Sequence, residues 1–182
     1  REQSERDYQL ASGLSQDVET DDNVFRQTTA RLPWLIIGML GGIGNSMILG
    51  NFDATFAAHP EMALYIPLIG GTGGNVGTQS SALIVQGLAN SSLDSKNTLK
   101  QVAKEAVVAL INATIISLLV YTYNFIRFGA MATVTYSVSI SLFAVVMFAS
   151  IFGTLVPMTL ERLKIDPAIA TGPFIAITND II

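Results

Sequence analysis

Apolar residues dominate five long runs of the chain, and short polar stretches separate these runs. The runs cover about residues 32–52, 62–89, 99–128, 134–160 and 167–182. A helix needs about 20 apolar residues to cross the roughly 30 Å hydrocarbon core of a bilayer, so the first four runs are long enough. The pattern predicts an all-α polytopic membrane protein with five transmembrane helices, the fifth truncated by the end of the sequence.

Two of these runs carry further predictions. In the first run, Pro33 suits the first turn of a helix. Gly38 and Gly42, four residues apart, form the small-residue face that is typical of close helix contacts in lipid. The second run, residues 62–89, would be about 42 Å long as a single helix. Because that exceeds the hydrocarbon core, this run must tilt, kink or break.

Composition supports a membrane protein and excludes several kinds of chemistry. Half of the residues are hydrophobic and 13% are charged, whereas soluble domains average about 25% charged residues. The chain has no Cys and a single His, His59, which excludes thiolate and multi-histidine metal sites within one chain. No paired carboxylates have a recognisable catalytic spacing, so no enzyme is predicted. The absence of a basic patch argues against nucleic acid as a partner.

Residues 1–31 are polar and acidic, and we expect them to be a cytoplasmic linker or connecting helix before the pore domain at 32–182. Residues 24–31 suit the last turns of a short amphipathic helix that enters the membrane. A solvated arm is the simpler interpretation of such a charge run. The alternative is that its carboxylates bind divalent cations at a pore mouth, and the four nearest to the first run are Asp17, Glu19, Asp21 and Asp22.

Basic residues between the runs predict the orientation. Cytoplasmic loops carry an excess of Lys and Arg. One side of the predicted bundle has only Arg127. The side that carries the N-terminus has seven basic residues: Arg26, Arg31, Lys96, Lys100, Lys104, Arg162 and Lys164. The N-terminus of this multi-pass protein is therefore predicted to be cytoplasmic, which suits a cell (inner or plasma) membrane.

A polar stretch, GGTGGNVGTQSS, interrupts the second run from Gly70 to Ser81. Asn75 and Gln79 are four residues apart and share one helical face. Amide oxygens are hard ligands that suit Mg²⁺, Ca²⁺ or the water shell of such an ion. Ordinary helix packing explains the stretch equally well, because Gly73 and Gly77 form a small-residue pair. Spacing alone leaves both interpretations open.

The last run carries two carboxylates of interest. Asp166 precedes Pro167, the pattern of a helix N-cap followed by Pro at the first helical position. Asp180 lies fourteen residues further on, about 21 Å along a helix. An ionisable residue at membrane depth indicates a functional site. The alternative places Asp180 near the far interface, in contact with water.

Several segments together resemble the membrane domain of the MgtE magnesium channels, to which the animal transporters of the solute carrier 41 family are more distantly related. The resemblance covers about residues 24–182. Five segments carry it: RLPWL at 31–35, PLIGGTGGNVGTQS at 67–80, QGLA at 86–89, KEAVV at 104–108 and DPAIATGPFIAITND at 166–180. The glycine–asparagine and aspartate–proline motifs are specific in combination, whereas either alone would be weak.

The resemblance implies a homodimer with five spans per subunit and one pore along the dimer axis. It implies that Asp180 of each subunit holds hydrated Mg²⁺, with Ala176 and Asn75 on the adjacent wall. Asp166 matches an acidic residue near the cytoplasmic mouth that helps to bind regulatory Mg²⁺ in regulated members. Further pore-lining candidates are Gly73, Gly74, Gln79 and Gly172, and Gly172 stands where some members have Asn.

The resulting functional hypothesis is a channel or transporter that moves Mg²⁺ into the cytoplasm. The family's cytosolic regulatory modules, including paired CBS domains, do not occur in this sequence. One alternative keeps the fold and makes it a secondary transporter of divalent cations coupled to Na⁺ or H⁺, with Asp180 as the exchanging group. Another alternative is a membrane assembly module in which the glycines serve only packing.

Overall fold

The computed structural model describes residues 9, 12–15, 18–90, 98–130, 132–170, 174–175 and 177–178. Within these residues every regular element is a helix, as the apolar pattern predicts. The α-helices are α1 (Val24–Gly50), α2 (Asp53–Ala58), α3 (Pro60–Ala63), α4 (Ile66–Ala89), α5 (Thr98–Phe128) and α6 (Thr133–Arg162). A 3-10 helix follows at Pro167–Ala170.

Helix α1 begins eight residues before the first apolar run. The Asn23 side chain caps it, since Oδ1 accepts a hydrogen bond of 2.8 Å from the backbone N–H of Arg26. This cap extends the helix into polar sequence, so Pro33 lies at the tenth helical position and not in the first turn. Asp22 pairs with Arg26 at 2.8 Å just before the helix.

The segment before α1 folds back onto this helix. Both the backbone N–H and the hydroxyl of Ser15 donate to the carbonyl oxygen of Ala30, each at 2.9 Å. Ala30 is the buried residue of α1, whereas most of the helix is exposed. The arm therefore contacts the helix near Pro33, where the regular hydrogen-bond ladder lacks one donor.

The second apolar run is broken near its start, which is one of the three outcomes that its length predicts. The break falls at Leu64 and Tyr65, between the short helix α3 and α4. Tyr65 is buried, and its hydroxyl donates to Oδ1 of Asn124 on α5 at 2.5 Å. Asn124 is itself fully buried. This bond joins the start of α4 to the end of α5.

Helix α6 is the central element, because α4, α5 and the 3-10 helix all pack against it. Residues at helical spacing on α6, among them Val138, Leu142 and Val146, are buried. They contact Ala113 and Val120 of α5 and partly buried side chains of α4. A short turn joins α5 to α6, with Gly129 at φ +89°, a backbone conformation that favours glycine. Helices α5 and α6 thus form a tight hairpin.

Three helices in the described part of the chain are long and apolar enough to cross a membrane. They are α1, α5 and α6, and α6 has the highest hydropathy. Helix α4 has 24 residues, about 36 Å of helix, but its Gly, Asn, Gln and Ser residues lower its hydropathy. The coarse prediction of an all-helical membrane fold is therefore confirmed, while the count of five spans stays a prediction.

The segment after α6 turns back into the bundle. Asp166 Oδ1 accepts a hydrogen bond of 2.9 Å from the N–H of Ala168, which confirms the predicted N-cap, here on a 3-10 helix. Beyond it, Ile175 is fully buried and Phe174 stacks on Phe152 of α6. A side chain at Gly41 of α1 would clash with Ile177. Phe174 therefore lies against α6, and Ile177 lies against α1.

Candidate ion pathway

Helix α4 has two faces with different surroundings. The face toward α6 is buried and consists of Gly73, Gly77, Ser80, Ser81 and Ile84. A Cβ atom built on Gly153 of α6 would lie 2.5 Å from the carbonyl oxygen of Gly77. Small residues on both helices therefore allow this close approach, which is the packing interpretation of the glycine-rich stretch.

The remaining surface of α4 is open. A Cβ built on Gly74 would meet no atom within 4 Å, and Asn75 is exposed. Gln79, Gln86 and Asn90 are exposed as well, and their spacing places them on the same face as Asn75. No hydrogen bond joins the Asn75 or Gln79 side chain to another residue in the part that the structure describes. Because an unpaired amide is costly in hydrocarbon, this face requires water or a protein partner.

A cavity of about 520 Å³ opens beside this face, between α4, α5 and α6. Along α4 the cavity extends from Asn90 at the end of the helix to Val76 near its middle. Along α5 it extends from Gln101 near the start of the helix to Asn112 near its middle. The distance from Gln101 to Asn112 along α5 is about 16 Å, roughly half of the hydrocarbon core. Its other lining residues are Gln79, Ser80, Leu83, Gln86, Gly87, Lys104, Glu105, Val108 and Ser150.

The Glu105 carboxylate joins the three helices at this cavity. Its Oε1 accepts a hydrogen bond of 2.7 Å from Ser80 of α4. The same oxygen accepts a short hydrogen bond from Ser150 of α6. The two serines are almost completely buried, and their hydroxyl oxygens lie 3.0 Å apart. We refer to Ser80, Glu105 and Ser150 as the carboxylate–serine cluster.

The structure describes some of the predicted metal ligands. Asp166 is exposed at the end of the bundle, where it caps the 3-10 helix. Asp180, Ala176 and Gly172 lie outside the described residues, as does Asp17 of the acidic arm. Glu19 and Asp21 are exposed, and Asp22 contacts Arg26. Among the described residues, no three His, Asp or Glu side chains are grouped closely enough to hold a bare metal ion.

Comparison with known proteins places this arrangement in a family. The family model for MgtE, described as a divalent cation transporter, matches residues 66–182, which include α4 and all that follows. The chain belongs to the MgtE family. This membership and the three apolar helices make it a multi-pass membrane protein.

Magnesium transporters of this family from three bacteria resemble most of the chain. It is 34% identical to the magnesium transporter MgtE of Thermus thermophilus over 84% of its length, covering 33% of that protein. It is 29% identical to the magnesium transporter MgtE of Bacillus subtilis over 99% of its length, covering 40% of that protein. A third, from Enterococcus faecalis, is 28% identical over 96% of the chain. The chain thus spans about a third to two fifths of these MgtE relatives.

The carboxylate–serine cluster was not predicted from the sequence. Lys104 and Glu105 lie in the first turns of α5, where such residues usually extend toward the interface or pair with neighbours. The partners of Glu105 are 25 and 45 residues away in sequence. Serines within apolar runs are common in membrane helices, so only their positions in the folded bundle distinguish Ser80 and Ser150.

Proposed function

We propose that this chain is the membrane part of a channel that carries Mg²⁺ into the cytoplasm. One observation supports the proposal most directly: α4 exposes the amides of Asn75 and Gln79 within a run of mainly apolar helices. A polar face at this depth needs a water-filled path or a partner. Membership of a divalent cation transporter family favours the path.

The chemistry of Mg²⁺ suits such a path. Mg²⁺ gives up its hydration water reluctantly and is usually held through water by one or two carboxylates. In this proposal the Asp180 carboxylates of two subunits attract the hydrated ion, and Asn75 and Ala176 contact its water shell. The ion must also be released, so water-mediated contacts serve conduction better than a dry cage. Asp166 lies near the cytoplasmic mouth.

A homodimer would complete the pore. Helix α1 offers a suitable surface, because Cβ atoms built on Gly38, Gly42 and Gly44 would meet no atom within 4 Å. Small residues of this kind allow a second membrane helix to approach closely. The proposed dimer resides in the cell membrane with its N-termini in the cytoplasm, and cytosolic CBS-type modules would act on it from that side.

Magnesium uptake by Asp180 variants tests this function. The protein is placed in liposomes that contain a fluorescent Mg²⁺ indicator. We expect Asp180→Ala to abolish uptake, and Asp180→Asn to reduce it at least tenfold, because the amide lacks the negative charge. Asp53→Asn is the matched control, since Asp53 is an exposed carboxylate at the start of α2. Undiminished uptake in both Asp180 variants would refute the proposal.

Two further measurements separate the alternatives. Unitary currents in single-channel recordings would establish a channel and exclude a transporter coupled to Na⁺ or H⁺. Dependence of uptake on a Na⁺ or H⁺ gradient, without unitary currents, would favour the coupled transporter. A dimer with no ion flux under any of these conditions would favour a membrane assembly module.

A further inference from the structure

The carboxylate–serine cluster satisfies only part of the hydrogen-bonding capacity of Glu105. Ser80 and Ser150 both donate to Oε1. Within the described residues, Oε2 accepts no hydrogen bond. A carboxylate has about four acceptor positions on its two oxygens. Glu105 is also only partly buried and lines the cavity, so its second oxygen is available to a ligand or to water.

Glu105 also lacks a cationic partner in the part that the structure describes. Neither the Arg26–Asp22 pair nor the His59–Glu61 pair includes Glu105. An unpaired carboxylate within a membrane bundle is energetically costly. Such residues usually pair with a cation or mark an ion pathway. The position of Glu105 therefore favours a cation in the adjacent cavity.

The cavity is large enough for a hydrated ion. Its volume is about 520 Å³. Six water molecules around Mg²⁺ occupy about 180 Å³, at roughly 30 Å³ for each water. The lining side chains of Gln79, Gln86 and Asn112 supply amide oxygens that accept hydrogen bonds from such waters. A single carboxylate with several neutral oxygen atoms suits an ion that keeps its water shell.

We propose that this cavity binds a hydrated divalent cation, with Glu105 as its negatively charged anchor. The inference rests on the proposed function and adds a second ion site to it, separate from Asp180. Ser80 and Ser150 hold the carboxylate at the wall of the cavity from two different helices. The amides of Gln79 and Asn75, one turn apart on α4, lead from this site toward the middle of the membrane.

Lys104 provides a test of whether the ligand in this cavity is a cation or an anion. It is exposed and lines the same cavity, and it lies within 4.0 Å of no carboxylate among the described residues. Its ammonium group repels a bound cation. If the cavity holds a cation, Lys104→Gln should tighten binding by about threefold. If it holds an anionic group, such as a lipid phosphate, the same change should weaken binding.

Binding of Mn²⁺ to the purified protein in lipid nanodiscs measures the site. Electron paramagnetic resonance of free Mn²⁺ gives both stoichiometry and affinity. The titration is done in the Asp180→Asn background, which removes the proposed pore site. Adding Glu105→Gln should abolish one Mn²⁺ site per chain or weaken it at least tenfold. The control is Glu161→Gln, which removes an exposed carboxylate at the end of α6 and should leave Mn²⁺ binding unchanged.

The outcomes separate this inference from the proposed function. Glutamine keeps an acceptor oxygen for both serines, and melting temperatures of the variants verify that the fold is intact. If Glu105→Gln changes the melting temperature but not Mn²⁺ binding, the cluster is a structural brace and the inference is wrong. If Asp180 variants take up Mg²⁺ normally while Mn²⁺ binding depends on Glu105, the cavity site stands and the proposed pore function fails.

Discussion

Gly77 and Gly153 bring α4 and α6 into backbone contact. A Cβ atom on Gly153 would lie 2.5 Å from the Gly77 carbonyl oxygen and 3.2 Å from its Cα. Both contacts are with backbone atoms, which cannot move aside as a flexible side chain can. The spacing of these two helices therefore depends on the absence of a side chain at Gly153.

Replacing Gly153 with Ala should destabilise the bundle. The added methyl group must push α4 away from α6, and overpacking of this kind typically costs about 1–3 kcal/mol. Thermal unfolding in detergent measures the effect. Gly71→Ala on α4 is the control, because a Cβ there meets no atom within 4 Å. Equal melting temperatures for the two variants would contradict the close approach.

The hydrogen bond between Tyr65 and Asn124 should contribute measurably to stability. Tyr65→Phe removes the hydroxyl from a buried Asn124 whose Nδ2 already lacks a partner within the described structure. Hydrogen bonds between membrane helices average about 0.6 kcal/mol and reach about 1.7 kcal/mol, and we expect a loss in that range. Chemical unfolding in detergent measures it.

Two further variants test whether the stability lost in Tyr65→Phe comes from the hydrogen bond between Tyr65 and Asn124. Tyr123→Phe changes an exposed hydroxyl on α5 and should cost less than about 0.5 kcal/mol. In the Tyr65→Phe background, Asn124→Leu should destabilise less than it does in the wild type. Additive effects of the two changes would show that the bond contributes nothing.

A larger side chain on the open face of α1 should disrupt the proposed dimer. Gly42→Leu fills a surface that is free in the single chain, so the subunit itself should fold normally. The dissociation constant of the dimer should rise by about tenfold or more, which corresponds to about 1.4 kcal/mol. Light scattering across a dilution series in detergent measures this constant.

The control for this prediction is Met47→Leu on the same helix. Met47 is 73% exposed, and the substitution nearly conserves volume. Gly42→Leu and Met47→Leu should have similar melting temperatures but different dimer affinities. A dimer that is unaffected by Gly42→Leu would place the interface elsewhere on the subunit.

Hydrophobicity and capping chemistry predict the helices well, because they depend on neighbouring residues. The first four apolar runs locate the long helices α1, α4, α5 and α6, and the Asp166 cap is recognisable from the proline that follows it. The start of α1 is harder to predict. Its first residues are polar, and the Asn23 side chain, not burial, initiates the helix.

The assignment of each side of α4 to a neighbour required the structure. Helical periodicity separates Gly73 and Gly77 from Asn75, but it does not tell which side faces another helix. Which side of α4 faces α6 depends on Gly153, which is distant in sequence and packs against the Gly77 side of α4. The carboxylate–serine cluster was unpredictable for the same reason, since its members come from three helices.

The low apolarity of α4 has a consequence for how the chain enters the membrane. A helix that carries Asn75, Gln79 and a series of glycines gains little from lipid alone, whereas α6 is the most apolar helix of the described part and forms a hairpin with α5. Stable integration of α4 therefore depends on the hairpin that follows it in synthesis. Chains that end after α4 should leave α4 outside the bilayer. Chains that extend through α6 should keep α4 in the bilayer. Glycosylation mapping in microsomes can measure the position of α4 in both cases.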